Sequence, residues 1–200
     1  MKIFAAGDIH ADSRIAEQLA AEAAEAKADL VLLCGDVTNF DMEASGVIAP
    51  FKERNLQVAM IHGNHDSEAS IETLSQIYKT KNLHGYSMRI GDIGIFACGG
   101  ATNVGPMPTI SEEETLAMLQ QAHEYIKDAK VKIMMTHMHP QGSIVERISF
   151  EGSQAVRDAI DDLKPDVHIS GHIHEADGIE EMISSTRVVS VGKKGKLFEF

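Results

Sequence analysis

Short apolar runs and segments with helical spacing alternate along the chain from its first residue. Lys2 to Ala6, Leu30 to Cys34, Leu56 to Ile61, Ile93 to Cys98, Val131 to Met135 and Val167 to Ser170 are bounded by Gly, Asp, Asn or His. Their shortness and β-branched content predict buried strands. Between the early runs, Arg14 to Ala28 places Ile15, Leu19, Ala23 and Ala26 on one face, with Asp12 or Ser13 as cap. Met42 to Arg54 and Ser67 to Lys79 carry the same spacing, and the alternation predicts a parallel sheet built from βαβ units. Ser111 with Glu114 is a capping box for a helix through about Asp128, and Gly152-Ser153 opens another that ends before Pro165. The end of the chain differs: Ile179 to Ser184, Arg187 to Val191 and Lys196 to Phe200 are split by turn residues and predict an antiparallel finish. Gly99 to Ile110 and Met138 to Glu151 are loops longer than a connection needs, and either could border a site.

Composition narrows the class. Two hundred residues, 44% hydrophobic and 24% charged, predict one globular domain over 1–200. Eighteen basic against thirty acidic residues give a net charge of −12, which disfavours long nucleic acid as a partner. Ile3 to Ala6 is too short for a signal peptide and no run reaches membrane-span length, so a cytoplasmic location without a membrane partner is expected. Cys34 and Cys98 are too few for a disulfide framework and read as reduced, buried thiols. Ten histidines are the unusual figure.

Most of the groups that would be costly in a core follow the apolar strands directly. Asp8-Ile9-His10 follows the first, Gly35-Asp36 the second, Gly63-Asn64-His65-Asp66 the third, His137 the Val131 strand, and Gly171-His172-Ile173-His174 the Val167 strand. In an open parallel sheet the carboxyl ends of strands form the ligand edge, so these residues converge. Positions two apart in extended chain share a side, which lets Asp8 act with His10 and His172 with His174. Asp-x-His and Gly-Asp alone are weak signals, since each also makes an ordinary cap or turn. Gly-Asn-His-Asp and Gly-His-x-His have little structural use, and together the five point to metal chemistry.

In this order the motifs resemble those of the calcineurin-like metallophosphoesterase superfamily, over residues 8 to 174. The resemblance implies an α/β fold of two packed mixed β-sheets flanked by helices, in four layers α/β/β/α, and a site for two divalent ions. It implies that Asp8, His10, Asp36 and His174 hold one ion, that Asp36, Asn64, His137 and His172 hold the other, and that His65 is the proton donor. Asp36 and His65 are then the catalytic pair. The residue types suit such a site: one carboxylate can bridge ions about 3.5–4 Å apart, and two such ions clamp both ends of an in-line displacement. Two divalent ions with the carboxylates of Asp8 and Asp36 leave about +2 of formal charge, a positive spot on an acidic protein. A water bridging the ions would have its pKa lowered toward about 7, so that hydroxide is the nucleophile. Nitrogen and oxygen ligands without thiolate fit Mn, Fe, Co, Ni or Zn.

One departure bears on the substrate. Phosphoprotein phosphatases of the superfamily read Gly-Asp-x-x-Asp-Arg at the second motif, whereas this chain reads Gly35-Asp36-Val37-Thr38-Asn39-Phe40. Asn39 adds no charge to keep His65 protonated, and the phosphate-gripping arginine is missing. The expected substrate is therefore a small phosphate ester, a phosphodiester ahead of a monoester. A nuclease would need a basic track, and a non-catalytic scaffold of the same fold would be marked by lost ligands; all of them are present. A homo-oligomer is left open. Of the other histidines, His139 reads as a solvent-facing loop residue, His62 and His168 as core or supporting residues, and His84 and His123 as surface residues. Ser153 at a helix start, with Arg147 closing over it, is a candidate cradle for phosphate oxygens, against the plainer reading of Ser153 as an N-cap.

Overall fold

A computed structural model describes residues 1–41, 46–102, 105–107 and 109–200. Eleven strands form two sheets. In the first, β1 (Lys2–Ala6), β2 (Leu30–Cys34), β3 (Val58–Ile61) and the two-residue β4 (Lys81–Asn82) run parallel, and β11 (Lys196–Glu199) joins antiparallel to β1. The second has the order β5 (Ser87–Ile90), β6 (Ile93–Cys98), β7 (Val131–Thr136), β8 (Val167–Ser170), β10 (Thr186–Ser190), β9 (Glu180–Ile183), with only its outer strands antiparallel. Helices cover the outer face of each: α1 (Ser13–Glu25), α2 (Ala49–Glu53) and α3 (Glu68–Tyr78) on the first, α4 (Glu112–Glu124) and α6 (Gln154–Leu163) on the second.

Both faces of each sheet are covered, which is why the central strands read as unbroken apolar runs rather than alternating ones. Alternate residues divide the work. Ile3, Ala5, Leu32, Ala59 and Ile61 meet Ile95, Ile133, Met135 and Ile169 between the sheets. Phe4, Ala6, Val31, Leu33 and Met60 turn the other way onto Leu19, Ala23, Phe51 and Ile71. Phe96, Met134 and Val188 pack on Leu119, Val156 and Ile160. Cys34 and Cys98 are buried, unpaired thiols. No helix among the described residues is long and apolar enough to cross a membrane.

The two mixed sheets flanked by helices that the resemblance implies are present, with the parallel alternation of the early runs divided between them. Other expectations need correction. Of the helix expected over Met42 to Arg54, Met42 to Ser45 lie outside the described residues and the remainder is helical only over Ala49–Glu53. Of the three last strands only β9 and β10 pair with each other, antiparallel: β10 also lies parallel to β8, and β11 crosses to the first sheet, where it pairs antiparallel with β1. That crossing runs through Gly192 to Gly195, where Gly195 has φ +65° and a Cβ would overlap the Phe4 ring, so only glycine fits. The loop from Met138 to Glu151 holds a short helix, α5 (Ile144–Ile148). It and the edge strands β4 and β5 escaped the sequence pattern because a five-residue helix shows hardly more than one period and an edge strand need not be apolar.

Candidate metal centre

The strand register sets the site. Ala6 pairs with Leu33 and Cys34 with Ile61, so the segments after β1, β2 and β3 start at one level. They are then tied to each other. Asp8 N donates to Gly35 O at 3.1 Å, His10 N to Asp36 O at 2.8 Å and Ala11 N to Val37 O at 3.0 Å. The buried Asp66 carboxylate accepts from Val37 N (3.1 Å), Thr38 N (2.6 Å), Thr38 Oγ1 (2.6 Å) and Gly63 N (3.0 Å), pinning the third loop to the second. A Cβ on Gly63 would overlap the Asp36 carboxylate, so the loops approach this closely only because position 63 has no side chain. Asp8 (φ 55°), His10 (50°), Asp36 (50°) and His172 (76°) all hold left-handed backbone. Asp and His tolerate that region better than most residues, and its clustering in four chemistry-bearing positions marks a functional site.

The side chains form two groups joined by Asp36. In one, His10 Nε2 lies 3.0 Å from His174 Nε2, and His174 Nε2 lies 3.8 Å from Asp8 Oδ1. In the other, His137 Nε2 lies 2.9 Å from Asn64 Oδ1, and the His137 and His172 rings meet edge to face at 4.8 Å. Asp36 turns Oδ2 toward His10 Nε2 and Oδ1 toward His137 Nε2, each at 3.5 Å. The candidate ligand atoms of Asp8, His10 and His174, and those of Asp36, His137 and His172, each fall within 4.8 Å of one another. His10, Asp36 and His65 form a third such group.

These contacts suit cations better than they suit each other. His137 Nδ1 lies 2.8 Å from Cys34 O, so this nitrogen carries the proton and, in the neutral ring, Nε2 offers a lone pair toward the acceptor Asn64 Oδ1. The two Nε2 atoms of His10 and His174 also face each other, at 3.0 Å. Among the described residues, the buried Asp8 Oδ2 and His172 Nε2 have no hydrogen-bond partner, a costly omission that an ion on each side of Asp36 would remove. Cis ligands about 2.1 Å from a common ion stand about 3 Å apart, close to the spacings found.

Electrostatics carry the same strain. Burial lifts the Asp8 carboxyl to about 7, with Asp36 adding to the rise against His137. Burial lowers His10 to about 4 and His172 to about 3. Burial alone would lower His137 too, but Asp36 and Asp8 outweigh it and hold the ring above its ordinary value. Asp36 is lowered, because His137 and the bond from His65 N overcome its burial. A divalent ion would reverse the penalty on Asp8 and displace the proton from His137.

His10, Asp36, Asn64, His172 and His174 line a cleft of about 400 Å³ together with Asn39, His65 and Lys193, while Asp8 and His137 are buried. His65 packs edge to face on His10 at 4.8 Å and against Phe40 at 4.9 Å. Its Nδ1 is buried without a partner among the described residues, so these ring contacts rather than an amide from Asn39 set its orientation. Phe150 lies 5.2 Å from the His172 ring, so Phe40 and Phe150, each 43% exposed, pack on two of the cleft's histidines. Sequence reasoning missed Phe150 and Lys193, which reach the rim from segments without any strand-end motif.

The other histidines depart from expectation in part. His62 and His168 are buried as expected, His168 bonding Thr136 Oγ1 at 2.7 Å. His139 is fully buried and bonds Phe150 O at 3.0 Å, so it faces neither solvent nor the cleft. His84 is buried too, accepting from Gly99 N at 3.0 Å, and His123 is half-buried against Phe96. The phosphate cradle at Ser153 is overturned. Ser153 is fully buried, its Oγ accepts from Val156 N at 3.2 Å and donates to Glu112 at 2.6 Å, and the same Glu112 oxygen accepts from Ala155 N at 2.7 Å. A carboxylate of the chain itself already occupies the anion position, and Arg147 is exposed away from the cleft. Ser153→Ala is therefore expected to cost about 1–2 kcal/mol in denaturant unfolding, as loss of a cap does, and to leave kcat and KM unchanged; altered kinetics in a folded variant would restore the cradle.

The sequence profile of a family described as calcineurin-like phosphoesterase matches residues 1–176. No curated protein matches the chain in sequence. Among solved structures, TT1561 of Thermus thermophilus superposes with a TM-score of 0.78 at 17% identity, over 98% of this chain and 97% of that one. A dimetal phosphatase from Danio rerio gives 0.69 at 12% identity, over 96% and 88%. A novel archaeal phosphodiesterase gives 0.57 at 19% identity, over 96% and 84%. At these identities the likeness is one of fold.

Proposed function

The chain belongs to the calcineurin-like phosphoesterase family, metal-dependent hydrolases of phosphate esters, and on that premise we propose that it hydrolyses a small phosphodiester at two divalent ions held by Asp8, His10, Asp36 and His174 and by Asp36, Asn64, His137 and His172. The observation that carries the reading is Asp36, whose two oxygens face two separate histidine groups at 3.5 Å each within one cleft. Ions held there would supply Lewis acidity toward the phosphoryl oxygens and would lower the pKa of a water toward neutrality. The protein's own residues do the rest: the loops tied together by Asp66 fix the ligand geometry, and His65 lends a proton to the departing oxygen. Asn39 and Phe40 favour the diester, because they offer no cation to a second phosphate charge. The small cleft and the net charge of −12 weigh against a nuclease acting on long strands.

His65 is also close enough to Asp36 and His10 to be read as a ligand, and one variant separates the two readings. His65→Ala is expected to keep both ions and to lose about 10²–10⁴-fold in kcat on an ester with a poor leaving group. The loss shrinks for nitrophenolate, which hardly needs a proton. Equal losses on both esters, or loss of an ion, would remove the acid role. The substrate class is tested by steady-state rates of the metal-loaded protein on bis-nitrophenyl phosphate beside nitrophenyl phosphate, then on cyclic nucleotides and single-stranded DNA. A higher kcat/KM on the monoester would overturn the diester preference.

A further inference from the structure

We propose that Lys193 is the phosphate-binding cation of this site, donating from Nζ to a non-bridging oxygen of the substrate. The inference rests on the phosphoesterase reading above and adds a residue that the family match, which ends at 176, does not reach. Lys193 is the one lysine or arginine among the residues lining the cleft, where it faces His10, Asp36, Asn64, His65, His172 and His174. Its backbone is fixed at the rim. Gly7 N, one residue before Asp8, donates to Gly192 O at 3.2 Å, Lys194 N donates to an Asp177 oxygen at 3.0 Å, and Gly195 N closes the turn onto Gly192 O at 3.3 Å. The turn thus hangs from the loop that carries Asp8.

Its charge is not spent elsewhere. Lys196 and Arg187 pair with Glu180 and Lys2 with Glu199, whereas neither Lys193 nor Lys194 has a salt bridge among the described residues, and of these two only Lys193 is half-buried and lines the cleft. In a chain of net charge −12, a half-buried lysine without a salt bridge in the lining of a histidine-rich cleft is free to meet an anion. Asn39 and Phe40 bring no charge to the cleft, and Lys193 brings one positive charge to its lining. A phosphodiester spreads one negative charge over two non-bridging oxygens, so an ion can take one while the ammonium takes the other. Charge on these oxygens grows as a nucleophile adds, so the bond strengthens on the way to the transition state.

The test uses Lys193→Met, which keeps the apolar stem, with Lys193→Arg for rescue and exposed Lys194→Met as control. Inorganic phosphate is the probe, titrated calorimetrically into the metal-loaded proteins beside steady-state kinetics and metal analysis. Lys193→Met is expected to retain the ions and the fold of wild type, to bind phosphate about 10–100-fold more weakly, as loss of a charge-assisted hydrogen bond does, and to lose kcat/KM by a similar factor. Lys193→Arg recovers part of both, and Lys194→Met stays within two-fold of wild type. Phosphate affinity and KM within two-fold of wild type in Lys193→Met would overturn the proposal while leaving the phosphoesterase reading intact. Weakened phosphate binding in a protein that hydrolyses no ester would do the reverse, and a wild type that binds no phosphate would overturn both.

Discussion

Asp36→Asn is expected to release both ions and to abolish measurable turnover. The substitution keeps the shape of the side chain and an oxygen that can accept from His65 N, a bond 2.9 Å long in the wild type, so the loop between β2 and α2 has no reason to unfold. What goes is the charge. One amide oxygen cannot serve both His10 and His137, toward which the carboxylate turns one oxygen each. Changes to groups merely behind metal ligands cost about 10–100-fold in affinity, and removing a ligand shared by two ions should exceed that at each. Metal analysis after gel filtration should fall from about two ions per chain to fewer than one, with the circular dichroism of wild type preserved. Retention of two ions by folded Asp36→Asn would refute the bridging role and with it the two-ion site.

Asp8→Asn is expected to make the metal-free protein more stable and the metal-loaded protein less so. Burial raises the Asp8 carboxyl to about 7 from 3.8, so the folded chain favours its protonated form. A carboxyl raised on folding contributes stability below its unfolded value that is lost as pH rises through the folded one, here between about pH 4 and pH 7. Above pH 7 the ionised group weighs on the metal-free fold by up to about 4 kcal/mol, since one pKa unit is about 1.36 kcal/mol. Asparagine removes that weight and can still accept from His172 N at Oδ1, as Asp8 does at 3.1 Å. At about 2–4 °C per kcal/mol, the metal-free variant should melt up to roughly 10 °C above wild type at pH 8, and by less at pH 5. His10 at about 4, and His62, His168 and His172 at about 3, act in the other sense. Lowered on folding, they contribute stability that falls away as pH drops below 6.5, in wild type and variant alike. Saturating ions should invert the order at pH 8, because they stabilise only the protein that binds them. Equal melting temperatures without metal at both pH values would show that Asp8 carries no such penalty.

The strand-end residues were legible because the cost of burying polar groups confines them. Asp8, Asp36, Asn64, His137 and His172 could not follow apolar runs this closely unless something at the strand ends used them, and β1, β2 and β8 run as the apolar runs predict. Capping residues were legible for a similar local reason: Ser111 with Glu114, Ser67 and Ser153 each bond a backbone N–H within three residues. Where the same residue types serve distant partners, local reading failed. For Ser153 local reading leaves an anion site open beside the cap until Glu112, far off in sequence, is seen to fill it. His139 reads as a loop residue until Phe150 closes over it.

The sequence by itself determined the order of most elements, the burial of the central strands and the identity of the seven candidate ligands, since periodicity, capping and the exclusion of polar groups from a core act over a few residues. Only the tertiary structure decided which strands join which sheet, how near Asp36 stands to each histidine group, that β11 returns to β1, and that this return carries Lys193 to the rim of the cleft. The reason is physical. Which sheet a strand joins depends on the inner faces it can cover, as Phe198 covers the space between the sheets, and that choice is settled by the packing of residues nearly two hundred positions apart.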